Sequence, residues 1–115
     1  MSTVLDPLPD RVKGCCNELA RPLADRTAAD LARLYKALAD PTRVQMLHML
    51  KAAEAPICVC DFTAAFDLGQ PTVSHHLARL REAGLVTSSR RGIWAFYEMQ
   101  PDLSPAARLA LDAIP

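Results

Sequence analysis

Four cysteines stand in two tight pairs, Cys15-Cys16 and Cys58-Val59-Cys60. Thiolates attack electrophiles, cycle between redox states and bind soft metal ions, so close cysteine pairs are the natural place to look for chemistry. On an extended backbone, residues two apart point the same way, and Cys58 and Cys60 can then turn both sulfurs on one ion. A helix opening at that point would lower a thiol's pKa and favour the metal-binding form. The same spacing suits two buried, inert cysteines equally well, because a free Cys packs as a small hydrophobe. Cys15 and Cys16 are neighbours and could bridge each other only with strain. They read as a reactive pair or as an incidental one on a loose arm. Three histidines complete the inventory. His48, near Leu47 and Leu50, reads as packing or as a solvated edge rather than a ligand.

A second constellation is polar rather than nucleophilic. Residues 70–84 read QPTVSHHLARLREAG. Val73, Leu77 and Leu80 fall at helical spacing as an inner stripe, leaving Gln70, Thr72, Ser74, His75 and Arg79 outside. Gln pairs with adenine edges, and Ser and Thr donate or accept as needed. Of His75 and His76, one is expected to face outward and the other to pack or hydrogen-bond inside. Net charge is zero, yet residues 70–91 hold four arginines (Arg79, Arg81, Arg90, Arg91) against one acid, Glu82. Such a local basic face binds phosphate even in a neutral protein.

The elements that must position these residues follow from periodicity and punctuation. Residues 1–26 form an arm broken by Pro7, Pro9 and Pro22, and residues 27–115 form the domain. Thr27 is a plausible cap for a first helix with Leu31, Leu34, Tyr35 and Leu38 on one side, ending near Asp40-Pro41. Pro41 opens a second helix with Val44, Leu47 and Leu50 as its stripe and Met46 beside it. Ile57-Cys58-Val59 is a short strand, and Asp61 caps a short third helix over 62–66. Asp67-Leu68-Gly69 is a turn, Pro71 lies in the first turn of the next helix, and Gly84 takes the left-handed position after it. Residues 85–89 and 93–99 form a hairpin with Arg90-Arg91-Gly92 at its tip. Ser104 caps a last helix carrying Leu109, Leu111 and Ile114. A short helix, a three-residue turn, a second helix and a hairpin make a winged helix-turn-helix, a mainly α fold with a two-stranded wing. Arg79, Arg90 and Arg91 are better suited to phosphate or the minor groove than to base edges.

Composition bounds the rest. At 115 residues, 50% of them hydrophobic, the chain is one domain rich in Ala and Leu. Its first residues lack the basic start and apolar run of a signal peptide, and no stretch is long enough to span a bilayer. A cytoplasmic protein with reduced thiols and no membrane partner is expected. No Ser-His-Asp grouping, phosphate loop or cofactor fingerprint is present, so an enzyme is not expected.

The stretches ALADPTRVQML (37–47), ICVCDF (57–62), QPTVSHHLARLREAGLV (70–86) and RRGIWAFYEM (90–99) together resemble the ArsR/SmtB family of metal-responsive repressors. The resemblance covers roughly residues 29–99. It implies a homodimer whose first and last helices form the interface, bound to an inverted repeat of double-stranded operator DNA and released by metal. Cys-Val-Cys-Asp followed by an apolar residue looks like the metal motif of the family's arsenite and cadmium/lead sensors. Some arsenite sensors add a cysteine later on the same helix, where this chain has Phe62-Thr63-Ala64. Cadmium/lead sensors add arm cysteines separated by several residues, whereas these are adjacent. Adjacent sulfurs suit two corners of a small trigonal-pyramidal ion better than the wider angles of a tetrahedral one. The resemblance therefore implies As(III) or Sb(III) as inducer, on Cys15, Cys16 and one of Cys58 and Cys60, from the same or the other subunit, with no constitutive cofactor. Residues 104–115 contain no His, so the family's zinc site on the last helix is not expected. A Cd(II)/Pb(II)-sensing repressor and a thiol redox-sensing repressor of the same fold are the alternatives.

Overall fold

The computed structural model describes residues 12–14 and 16–115. The first helix, α1, spans Asp25–Leu38 and so begins ahead of Thr27. No side chain caps it; Asp25 in its first turn favours the positive end of the helix dipole instead. Leu34 and Ala37 are buried, Leu31 and Leu38 are half-buried, and Tyr35 is exposed, so the inward stripe is narrower than its spacing suggested.

The α2 helix, Pro41–Ala52, starts as the sequence predicts. Asp40 is extended and its carboxylate accepts the Arg43 N–H at 3.1 Å, with Pro41 in the first turn. Met46, Leu47 and Leu50 are buried and Val44 half-buried.

Strand β1 is only Ile57–Cys58, and α3 follows at once as Val59–Phe66. This corrects the expectation of a helix capped by Asp61. Cys58 is the cap: its Sγ accepts the Cys60 N–H at 3.4 Å. Asp61 is the third helical residue, and its Oδ2 accepts the Cys58 N–H at 3.1 Å. A cap and a third-residue acid exchanging bonds in this way form a capping box, here with a thiol in the usual place of a hydroxyl. Asp67, at φ 52°, ends the helix, and Leu68-Gly69 lead into α4, Gln70–Glu82. Val73, Leu77 and Leu80 are fully buried along it, and Gly84 is left-handed at φ 76°.

The wing consists of β2, Val86–Arg91, and β3, Trp94–Met99, paired antiparallel from Val86↔Met99 to Arg91↔Trp94. The turn is therefore Gly92-Ile93, with Gly92 at φ 64°, where glycine avoids the steric cost of a side chain. Arg90 and Arg91 lie at the end of β2, not in the turn itself. β1 adds to the far side of β3, giving the order β1-β3-β2. Finally α5, Pro105–Asp112, is capped by Ser104, whose Oγ accepts the Ala107 N–H at 3.1 Å. Leu111 on it and Ile114 just beyond it are buried, while Leu109 faces solvent. Lys51 Nζ donates to the carbonyls of Leu111 and Ile114, and His48 Nδ1 to that of Pro115 at 2.7 Å, which ties the end of α5 to α2. The core gathers Met46, Leu47, Phe62, Leu77, Leu80 and Leu85, each contributing about 1.5–3 kcal/mol on burial.

Candidate functional site

Burial divides α4 into faces. Val73, Leu77 and Leu80 hold it on the core. Gln70, Ser74, Ala78 and Arg81 line one flank of a groove of about 540 Å³. The wing lines it too, through Arg90, Ile93, Trp94 and Tyr97, as do Cys58, Cys60 and Thr63 from β1 and α3. The cysteine pair and the polar face of α4 thus share one cleft, which no periodicity argument could show.

The two sulfurs converge. Cys58 is buried and Cys60 exposed, and the Cys60 thiol donates to Cys58 Sγ at 2.7 Å. They meet because the chain turns from β1 into α3 between them, not because both lie on one extended stretch. The expected lowering of the thiol pKa at a helix start is not what Cys60 shows. Its hydrogen bond to Cys58 stabilises the protonated form, and its slight burial and the Asp61 carboxylate push the pKa the same way. Cys16 is exposed, and Cys15 lies outside the described residues. Among the described residues no three His, Cys, Asp or Glu side chains gather as a metal site would require. Two sulfurs from this pair are what the domain itself offers.

The predicted DNA-reading residues are distributed as follows. Gln70, Thr72 and His75 are exposed and Ser74 is half-buried, with Gln70 Nε2 donating to Ser74 Oγ at 3.4 Å. Arg79 is exposed but paired with Glu82 at 3.0 Å on its own helix. An exposed pair of this kind contributes little, and a phosphate can displace it. Arg90 and Arg91 are exposed, and the Arg91 guanidinium lies 5.2 Å from the centre of the Phe96 ring, an aromatic support that restricts it. Arg81 donates to Ser88 Oγ at 3.3 Å, joining α4 to β2. His76 is the inward member of the histidine pair, bonded to Arg43, while His75 faces out. Sequence reasoning missed Arg43, Ile93 and Trp94. Ile93 and Trp94 stand out only in the structure, by their exposure at and beside the Gly92-Ile93 turn.

Residues 40–88 match the model of the bacterial regulatory protein, arsR family. The structure resembles the transcriptional repressor BigR from Xylella fastidiosa, at 31% identity and TM-score 0.57, over 77% of this chain and 86% of that one. The chain belongs to the ArsR family. It also resembles a homodimeric winged helix-turn-helix DNA-binding domain from Mycobacterium bovis, at 28% identity and TM-score 0.61, over 81% of this chain and 84% of that one. The arsenic resistance transcriptional regulator ArsR1 of Pseudomonas putida is 46% identical over 50 residues, which is 44% of this chain and 39% of that protein. The chain thus spans about two fifths of the length of that curated relative. These family members are regulators, not enzymes. No helix among the described residues is long and apolar enough to cross a membrane.

Proposed function

We propose that the chain is a cytoplasmic, homodimeric transcriptional repressor that binds an inverted repeat of operator DNA and leaves it when As(III) or Sb(III) is bound by its cysteine thiolates. The observation that carries this reading is the convergence of Cys58 and Cys60 in the groove lined by α4 and the wing. A relative named for arsenic resistance supports the choice of inducer. Residues 1–26 act as the arm that brings Cys15 and Cys16 to this pair, and residues 27–115 as the DNA-binding and dimerisation domain. Trivalent arsenic would supply a soft, three-coordinate centre that exchanges its hydroxyls for sulfur.

The chain's own residues do the rest. Gln70, Thr72, Ser74 and His75 meet base edges, while Arg79, Arg90 and Arg91 meet phosphates. Cys58 is the second residue of β1, which pairs with β3 through Cys58↔Phe96, and Cys60 lies in the first turn of α3. Drawing the two sulfurs toward the arm pulls on the wing through one and on the helix-turn-helix through the other. A coupling of about 1–3 kcal/mol is typical of allostery and changes affinity from several-fold to over a hundred-fold.

The test is release from DNA. A duplex is selected from a random-sequence library with the reduced protein, and its binding is followed by anisotropy as arsenite or Cd²⁺ is added. Arsenite should release the wild type and fail to release a Cys15→Ser/Cys16→Ser variant. Release by Cd²⁺ alone would remove the arsenic assignment, and arsenite release of the variant would remove Cys15 and Cys16 from the site.

A further inference from the structure

One side chain joins three elements on the flank of α4 away from the cysteines. Arg43 Nε donates to the carbonyl of Ala37 at 2.7 Å and Nη2 to that of Lys36 at 3.1 Å, both at the end of α1. Its Nη1 is 3.2 Å from Nδ1 of His76 on α4 and 4.0 Å from Asp40, the cap of α2. The Arg43 side chain is only 14% exposed, so these bonds are made largely away from water. A guanidinium only donates, so this contact requires His76 to present a bare Nδ1 lone pair and to carry its proton on Nε2. We propose that Arg43 and His76 are a positioning pair for DNA reading: the guanidinium fixes α4 against the end of α1, and protonation of His76 releases it. This rests on the reading that α4 contacts DNA.

The chemistry of release is simple. A proton on Nδ1 sets two donors and two positive charges face to face. The groups acting on the ring are Asp40 and Arg43 from α2 and its cap, and His75 from the same helix; α1 contributes only backbone carbonyls to the guanidinium. Burial favours the neutral ring, as do Arg43 and His75, and together they outweigh the pull of Asp40. The neutral, bonded form therefore holds at neutral pH and is lost as pH falls through the ring's depressed value.

The opposite trend is the default for DNA binding, since a histidine gaining charge near phosphate strengthens it. That contrast makes the test sharp. Affinity of the wild type for its selected duplex is measured at about pH 7.5 and about pH 5, either side of the imidazole range. We expect a loss of about ten-fold on acidification, the scale of one hydrogen bond to a charged group. His76→Asn keeps an acceptor at the Nδ1 position but cannot titrate, and it should show no such loss. An identical acid profile in wild type and His76→Asn overturns the proposal. Nitrogen-15 shifts of the free protein provide a readout that needs no variant: a neutral His76 protonated on Nδ1 refutes the pair outright. If the wild type enriches no duplex at all, the DNA-reading proposal falls and this one with it.

Discussion

Cys58 holds two positions at once, as a candidate ligand and as the cap of α3, and two substitutions separate them. Cys58→Ser keeps an acceptor for the Cys60 N–H, now at 3.4 Å from sulfur, and leaves Asp61 bonded to the backbone of residue 58. Cys58→Ala removes the acceptor. Both lose the same buried sulfur at a site 5% exposed, so their difference isolates the cap. Replacing a hydroxyl cap by Ala costs about 1 kcal/mol. In a domain of this size that separates the two melting temperatures by about 4–8 °C. The assay is thermal unfolding followed by circular dichroism, paired with arsenite-driven release from DNA. The Ser variant should melt above the Ala variant and bind DNA like wild type, yet stay bound when arsenite is added. If the two variants melt together, the thiol is not acting as a cap. If the Ser variant is released normally, Cys58 is not a ligand.

Three further outcomes are expected. Leu77→Ala opens a cavity under α4 at a fully buried position and should lower unfolding free energy by about 2–5 kcal/mol in a urea titration; a loss under 1 kcal/mol would contradict the packing given to it. Arg90→Ala/Arg91→Ala should weaken DNA binding across sequences and reduce the slope of log affinity against log salt by about four, one for each arginine lost from the two protomers, and an unchanged slope would remove these arginines from the phosphate contacts. Burial opposes ionisation of Asp40, but the Arg43 N–H, His76 and the Arg43 guanidinium prevail and hold its carboxyl below the ordinary range. Its stabilising effect is thus present above the ordinary carboxylate value and disappears as pH falls through the lower folded one. Asp40→Asn keeps the cap and should lose less stability than wild type between about pH 5 and about pH 2, read from urea midpoints; parallel curves would refute this.

What the sequence made legible was local. The Val73-Leu77-Leu80 stripe, Gly84, Pro41 behind Asp40 and the Ser104 cap are each decided by residues within a turn or two, and each appears where expected. Asp61 misled because a short acid before an apolar run is a good cap; a thiol three residues earlier took the role, and thiols are not the usual signal. The hairpin turn slipped because a glycine preceded by two arginines looks like a tip, whereas pairing of Arg91 with Trp94 depends on the whole ladder. The docking of the end of α5 on α2 has no local signal, because Lys51 meets Leu111 across some 60 residues of chain. The groove and the Arg43–His76 contact have no periodic trace at all: they join residues that only the folded chain brings together.

The wing's edges carry a consequence for handling the protein. β1 shields one side of β3 only opposite Phe96 and Tyr97, and β2 forms the opposite margin of the sheet. An open strand is a template for another chain, and charged side chains are a common guard against such stacking. On β2 that guard is Arg90 and Arg91, beside an exposed Ile93 and Trp94. Neutralising the arginines to probe DNA contacts will also bare an apolar, unpaired margin and promote self-association. The variant's affinity should therefore be read only at concentrations where light scattering shows a single, uniform species.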